Sequence, residues 1–129
     1  MSSFTRLPPL EAIPPAYVLY KTTIDFEYHV GSEDSGEVIT IEEGFITDGA
    51  SIPKFAWSVI GGPMGKYAAA AVVHDYLYKV QSYTRKKADL IFYEAMQVLK
   101  VPFWKRWLMH KAVRVAGWRP WNRYRDRGY

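Results

Sequence analysis

This chain predicts an α+β fold: an N-terminal β-hairpin or small antiparallel sheet, a Gly/Pro loop, then three packed helices. Three observations carry that expectation. Residues 17–47 are dense in β-branched and aromatic side chains with partial period-two alternation, broken by the polar turn GSEDSGE. Residues 48–65 hold Gly49, Pro53, Gly61, Gly62 and Pro63, which interrupt both helix and strand. Beyond Gly65 the apolar residues recur at helical spacing.

The elements follow in order. Pro8, Pro9, Pro14 and Pro15 fix φ and remove backbone donors, so residues 1–16 read as an extended Pro-rich arm. YVLYKTTIDFEYHV (17–30) and VITIEEGFIT (38–47) are the two strands, and 48–65 is a loop with room for one short turn around Lys54–Val59. The first helix runs from Gly65 to Val80, with Pro63 near its start. The second, Thr84 to Lys100, places Ala88, Ile91, Phe92, Ala95, Met96 and Leu99 on one core stripe. Pro102 suits the first turn of the third helix, and Gly117 lies just past its end. On that helix Trp104, Leu108, Ala112 and Val115 are expected nearer the core, apart from the stripe Arg106, His110, Arg114. Residues 118–129, WRPWNRYRDRGY, are left as a basic aromatic tail, so 17–117 forms the single α+β domain.

Composition narrows the function classes. With 129 residues, 49% of them hydrophobic and 16% aromatic, the chain can close one core and does not resemble a disordered segment. The absence of cysteine excludes disulfides, thiolate metal sites and a cysteine nucleophile. MSSFTRLPPLEAIPPAY has no apolar core of a signal peptide, and no apolar run approaches the roughly 18–20 residues of a membrane span. Synthesis in a cytoplasm, with no transmembrane segment, is the expectation. Residues 104–129 carry eight Lys and Arg against the single acid Asp126, a balance of +7 that leaves −3 for the rest of a chain totalling +4. Such a cationic end suits an anionic partner.

The informative stretch is AAAAVVHDYLYKV (68–80), a buried helix by its periodicity that carries His74 and Asp75 in its middle. On a helix His74 shares a face with Ala70, Leu77 and Tyr78, whereas Asp75 points about 100° away. The short linker QSYT makes the first two helices antiparallel neighbours, which can bring Asp89 to His74. A carboxylate on one imidazole nitrogen would fix the tautomer and leave the other as a base. Asp75, with Asp48 from the loop FITDGASIP, could hold a hard cation, calcium or magnesium. Ser51, Tyr78 and Arg85 are the candidate anion or substrate contacts. Arg85, Lys86 and Lys87 place three cations at a helix N-terminus, where the macrodipole disfavours them by a few tenths to about 1 kcal/mol each. Pairing of Arg85 with Asp89 or Asp75 is the simplest account. His29 and His110 lack partners at metal-ligand spacing and read as surface residues, which argues against zinc.

The segments TDGASIP, HDYLY and ADLIF together resemble a family of small phage- and prophage-encoded proteins classed as a domain of unknown function. That resemblance implies a phage or prophage origin and no assigned activity. The same blocks are more weakly similar to secreted phospholipases A2 of bacterial and fungal type. That likeness implies His74 as catalytic base, Asp89 as its orienting carboxylate, Asp75 as a calcium ligand and Tyr78 as the motif tyrosine. The chain departs from it in having no cysteine and only GFITDGAS in place of a glycine-rich calcium loop.

Several functions stand open from the sequence. The leading one is a phage accessory protein, virion- or tail-associated, with a hydrolase-like site in which His74 activates water on an ester or phosphoryl group. The second is a non-catalytic virion structural or assembly protein in which the same residues form a buried polar clasp. The third is a nucleic-acid-binding accessory. In the tail, Arg119, Trp121, Arg123, Tyr124 and Arg125 are the docking candidates, toward phage structural proteins first, then nucleic acid or an anionic membrane surface. The plain alternative is a tail folded back over the domain. Solvent access separates the first two functions, since a catalytic His74 must line a cleft and a clasp histidine is sealed.

Overall fold

The computed structural model describes residues 3–4, 10–12, 20–22, 24–31, 36–47, 52, 56 and 68–127. Six short strands precede four helices among them, which is the expected α+β class with one helix more than the sequence predicts.

The strands are β1 (Ser3–Phe4), β2 (Leu10–Ala12), β3 (Tyr20–Thr22), β4 (Phe26–His29), β5 (Val38–Ile41) and β6 (Ile46–Thr47). They form two antiparallel three-stranded sheets, ordered β1-β4-β5 and β2-β3-β6. β4 and β5 are the expected hairpin, with Phe26 opposite Ile41 and Tyr28 opposite Ile39, all four buried. Alternation explains the buried face: in β4 and β5 every second side chain turns inward. Each long strand expected from the sequence is split in two. Gly44 takes φ +88, a conformation glycine adopts without steric cost, between β5 and β6. Asp25 Oδ1 accepts from Glu43 N at 2.6 Å, and Thr22 Oγ1 donates to the Glu42 carbonyl at 3.0 Å, so the bend is held by side chains. The arm expected at 1–16 supplies β1 and β2, which pair with β4 and β3.

The helices are α1 (Ala68–Val80), α2 (Arg85–Val98), α3 (Phe103–Ala116) and α4 (Trp118–Arg127). Thr84 caps α2, its Oγ1 accepting from Lys87 N at 3.2 Å. α2 ends with Lys100 at φ +62, and Val101 N donates to the Met96 carbonyl at 3.0 Å. Its core stripe is the expected one: Ala88, Ile91, Phe92, Ala95 and Met96 are buried, and Leu99 packs at the edge.

α3 corrects the sequence expectation. Its buried apolar residues are Met109 and Val113, whereas Trp104 and Val115, expected nearer the core, are exposed. The stripe Arg106, His110 and Arg114 lies on the half-buried side instead. Arg106 stacks over Tyr93 and Phe103 at 5.5 and 5.4 Å, and His110 meets the Tyr93 ring edge-on at 5.6 Å. An apolar count misplaces this helix because guanidinium stems and imidazole rings cover apolar surface as well as isoleucine does.

The core joins both layers. Ile52 and Ala56 of the Gly/Pro loop are buried in it; the short turn expected around Lys54–Val59 otherwise lies outside the described residues. Tyr28 Oη donates to Glu94 Oε1 at 2.7 Å, pinning β4 to α2, and Lys79 Nζ donates to the Ile46 carbonyl at 3.0 Å, pinning α1 to β6.

Candidate functional site

Four alanines begin α1, and all four are buried. Side chains this small let α2 approach closely, and that approach delivers Asp89 to His74. His74 Nε2 donates to Asp89 Oδ1 at 2.7 Å, and Tyr78 Oη, one turn along α1, donates to the same oxygen at 2.7 Å. From α3, Arg114 Nη1 donates to Oδ2 at 2.7 Å, while Arg85 Nη1 stands 3.6 Å from it. One carboxylate thus ties three helices together. The His74 ring lies against Tyr78 and Phe92, with centroids 4.3 and 4.6 Å away. Neither His74 nor Asp89 reaches solvent; both are 0% exposed.

The electrostatics follow from that crowding. Burial alone would push the Asp89 carboxyl up, but bonds from His74, Tyr78 and Arg114 and the pull of His74 hold it below its ordinary value. It is therefore ionised, which places a proton on His74 Nε2. Burial first, then the Asp89 charge and hydrogen bond, push the Tyr78 hydroxyl well above its ordinary range, against Arg85. Tyr78 stays a neutral donor. Arg85 also serves α3, because its Nη1 donates to the carbonyls of Val113 and Arg114 at 3.1 and 3.3 Å and so satisfies the end of that helix. Lys86 and Lys87 face solvent, with Lys87 3.8 Å from Glu37.

Asp75 belongs to a second cluster. Its Oδ1 accepts from Tyr124 Oη at 3.4 Å, and its Oδ2 lies 3.4 Å from Lys79 Nζ. The ammonium of Lys79 thus supplies a positive charge beside the buried Asp75 carboxylate. Among the described residues no group of three or more His, Asp or Glu could hold a metal. Asp48 and Ser51 lie outside the described residues. A surface depression of about 490 Å³ is lined by Thr40, Glu42, Glu43, Gly44, Phe45 and Tyr76, none of them a predicted site residue.

The five docking candidates of residues 118–129 divide by direction, because 118–127 is the helix α4 and not a free tail. Trp121 meets the Tyr78 ring edge-on at 5.1 Å and accepts at its carbonyl from Gln81 Nε2 at 2.7 Å. Tyr124 is buried under Lys79, whose Nζ is 5.5 Å from its ring. Arg119, Arg123 and Arg125 are exposed. Two contributors escape the sequence reasoning. Lys79 stands four residues after Asp75, the spacing at which helical charges pair, so that signal is present in the sequence. Arg114 carries no local signal, since its partner is 25 residues away.

A family model described as "Protein of unknown function (DUF1353)" matches residues 22–113. The uncharacterized protein y4jT of Sinorhizobium fredii (strain NBRC 101917 / NGR234) is 37% identical over 100 residues, which are 77% of this chain. The matched segment spans 29% of that relative's length. No solved structure matches.

Proposed function

The chain belongs to the DUF1353 family, whose function is unknown, and from that premise we propose a non-catalytic accessory module of phage or prophage origin whose His74–Asp89 constellation is a buried polar clasp. One observation carries the reading: the imidazole and the carboxylate are both sealed from solvent, and four side chains from three helices converge on that carboxylate. The clasp fixes how α3 is rotated against α1 and α2, and so which of its side chains face outward. The phage origin is supported by the TDGASIP, HDYLY and ADLIF segments alone. The module reading agrees with a relative in which the matched segment is a minor part of a longer chain.

Denaturation of two variants tests the clasp. Asp89→Asn leaves Arg114 and Arg85 facing a neutral amide and should cost about 3–5 kcal/mol, as breaking a buried pair does. Tyr78→Phe removes one bond to a charged acceptor and should cost about 1.5–3 kcal/mol. Millimolar calcium should leave the melting temperature of the parent unchanged, because a ligand stabilises only through sites it binds in the folded state. Parent-like stability in both variants would sink the clasp.

A hydrolase reading keeps one specific observation in its favour, the 2.7 Å contact that orients His74 on Asp89. Ester or phosphoester cleavage that disappears in a His74→Gln protein of unchanged stability would carry that reading over the clasp.

A further inference from the structure

α3 turns a second apolar face away from the protein. Phe103, Trp104, Trp107, Val115 and Trp118 are each more than half exposed, although Met109 and Val113 on the same helix are fully buried. At 3.6 residues per turn these five and Lys111 fall within an arc of about 120°. Trp118 continues the strip because Gly117 keeps a right-handed backbone, φ −70 and ψ −16, between α3 and α4. Scattered exposed apolar residues need no explanation, but a contiguous strip of aromatics marks an interaction surface.

The surroundings of the strip identify its occupant. Each indole carries a cation: Lys105 Nζ lies 5.5 Å from the Trp104 ring, Lys111 Nζ 5.9 Å from Trp107, and the Arg119 guanidinium 5.6 Å from Trp118. No acidic residue occurs between Glu94 and Asp126. Tryptophan, phenylalanine and arginine also serve protein interfaces, but lysine is depleted there, and two of the three cations beside these indoles are lysines. Val115, the most exposed of the five, offers a nucleic acid base nothing to stack on. A lipid headgroup layer suits both features at once. Tryptophan settles at the boundary of hydrocarbon and water, and lysine or arginine beside it reaches the phosphates.

We propose that the exposed face of α3, with Trp118 at the start of α4, docks flat on an anionic lipid surface. The inference rests on the clasp in one respect: the hold of Asp89 on Arg114 sets which face of α3 looks outward.

Co-sedimentation of the full chain with vesicles tests it, using phosphatidylcholine alone and phosphatidylcholine mixed with phosphatidylglycerol. The mixed vesicles should take up the protein and the neutral ones should not, and added salt should weaken the binding. Lys105→Gln and Lys111→Gln should each lower partitioning about five-fold at low salt. Trp104→Ala combined with Trp107→Ala should abolish binding at an unchanged melting temperature, because both indoles are exposed. Equal uptake by the two vesicle types, no uptake, or full binding by the double tryptophan variant overturns the proposal. Duplex DNA that displaces the protein from vesicles through these same residues also overturns it and assigns the face to nucleic acid. The two readings fail separately. Vesicle binding by a fully stable Asp89→Asn protein overturns the clasp and keeps the lipid face, whereas a destabilised Asp89→Asn beside a parent that ignores vesicles does the reverse.

Discussion

At the junction of α3 and α4, Gly117 sits in the ordinary right-handed region, at φ −70 and ψ −16, where any residue fits the backbone. What forbids a side chain is proximity. A Cβ there would collide with Tyr78 Oη and the Val113 carbonyl and stand 3.0 Å from Arg85 Nη1. Gly117→Ala must therefore push on Tyr78, a donor to Asp89, and on the arginine that caps α3. Loss of about 1–3 kcal/mol in urea denaturation is expected, the usual cost of overpacking a well-filled site. From the sequence this glycine reads as a helix stop, the place where a left-handed backbone would disfavour alanine. Here the backbone is right-handed, and space is the reason.

Among the elements, α1 and α2 were legible because their apolar residues recur with one period and a four-residue linker forces them together. His74 and Asp89 could be paired from that alone. α3 was not legible in its rotation, because it has two apolar faces and the cationic stripe is the one drawn inward by a buried carboxylate. α4 was hidden by Pro120 and by a charge density that suggests a solvated tail. Its aromatics at 121 and 124 nevertheless close over α1. The end of α2 carries a local strain of its own. Lys100 is exposed and holds φ +62, a conformation costing an L-residue about 1–2 kcal/mol. Lys100→Gly relieves that strain, offset in part by the greater freedom of glycine in the unfolded chain. Its denaturation midpoint should rise, by a gain of up to about 1 kcal/mol.

For the whole molecule, four groups among the described residues are shifted and set a pH window, Tyr78 and Tyr83 upward and Asp89 and His110 downward. Tyr78 holds its proton more tightly folded than unfolded, so its contribution is present below the ordinary 10.0 and is lost as pH rises beyond it. Asp89 is held below its ordinary 3.8, so its contribution is present above that value and is lost as pH falls toward the folded one. His110 is shifted down, by burial first and by Lys111, Arg114 and His74, against Asp89. The folded state resists its protonation, and stability declines as pH drops below 6.5. Urea midpoints should be highest between 6.5 and 10.0, and His110→Gln should remove the decline that starts at 6.5. From its sequence neighbours His110 reads as a surface residue. Burial where α2 meets α3, with the Tyr93 ring against it and Lys111 and Arg114 close by, makes it a titrating weak point.

A carboxylate gripped from three helices also has a place in time. Tyr78 and His74 lie 11 and 15 residues from Asp89, and Arg114 lies 25 away on the last helix to reach it. The hairpin of α1 and α2 already holds the bonds from His74 and Tyr78, with Arg85 beside the carboxylate, whereas the Arg114 bond waits for α3. If α3 docks after the rate-limiting barrier, that last bond is absent from the transition state. In stopped-flow experiments Arg114→Gln should then refold at close to the parent rate and unfold faster, with a low φ-value. The residue then governs how long the native state lasts once reached, and hardly at all how quickly the chain finds it.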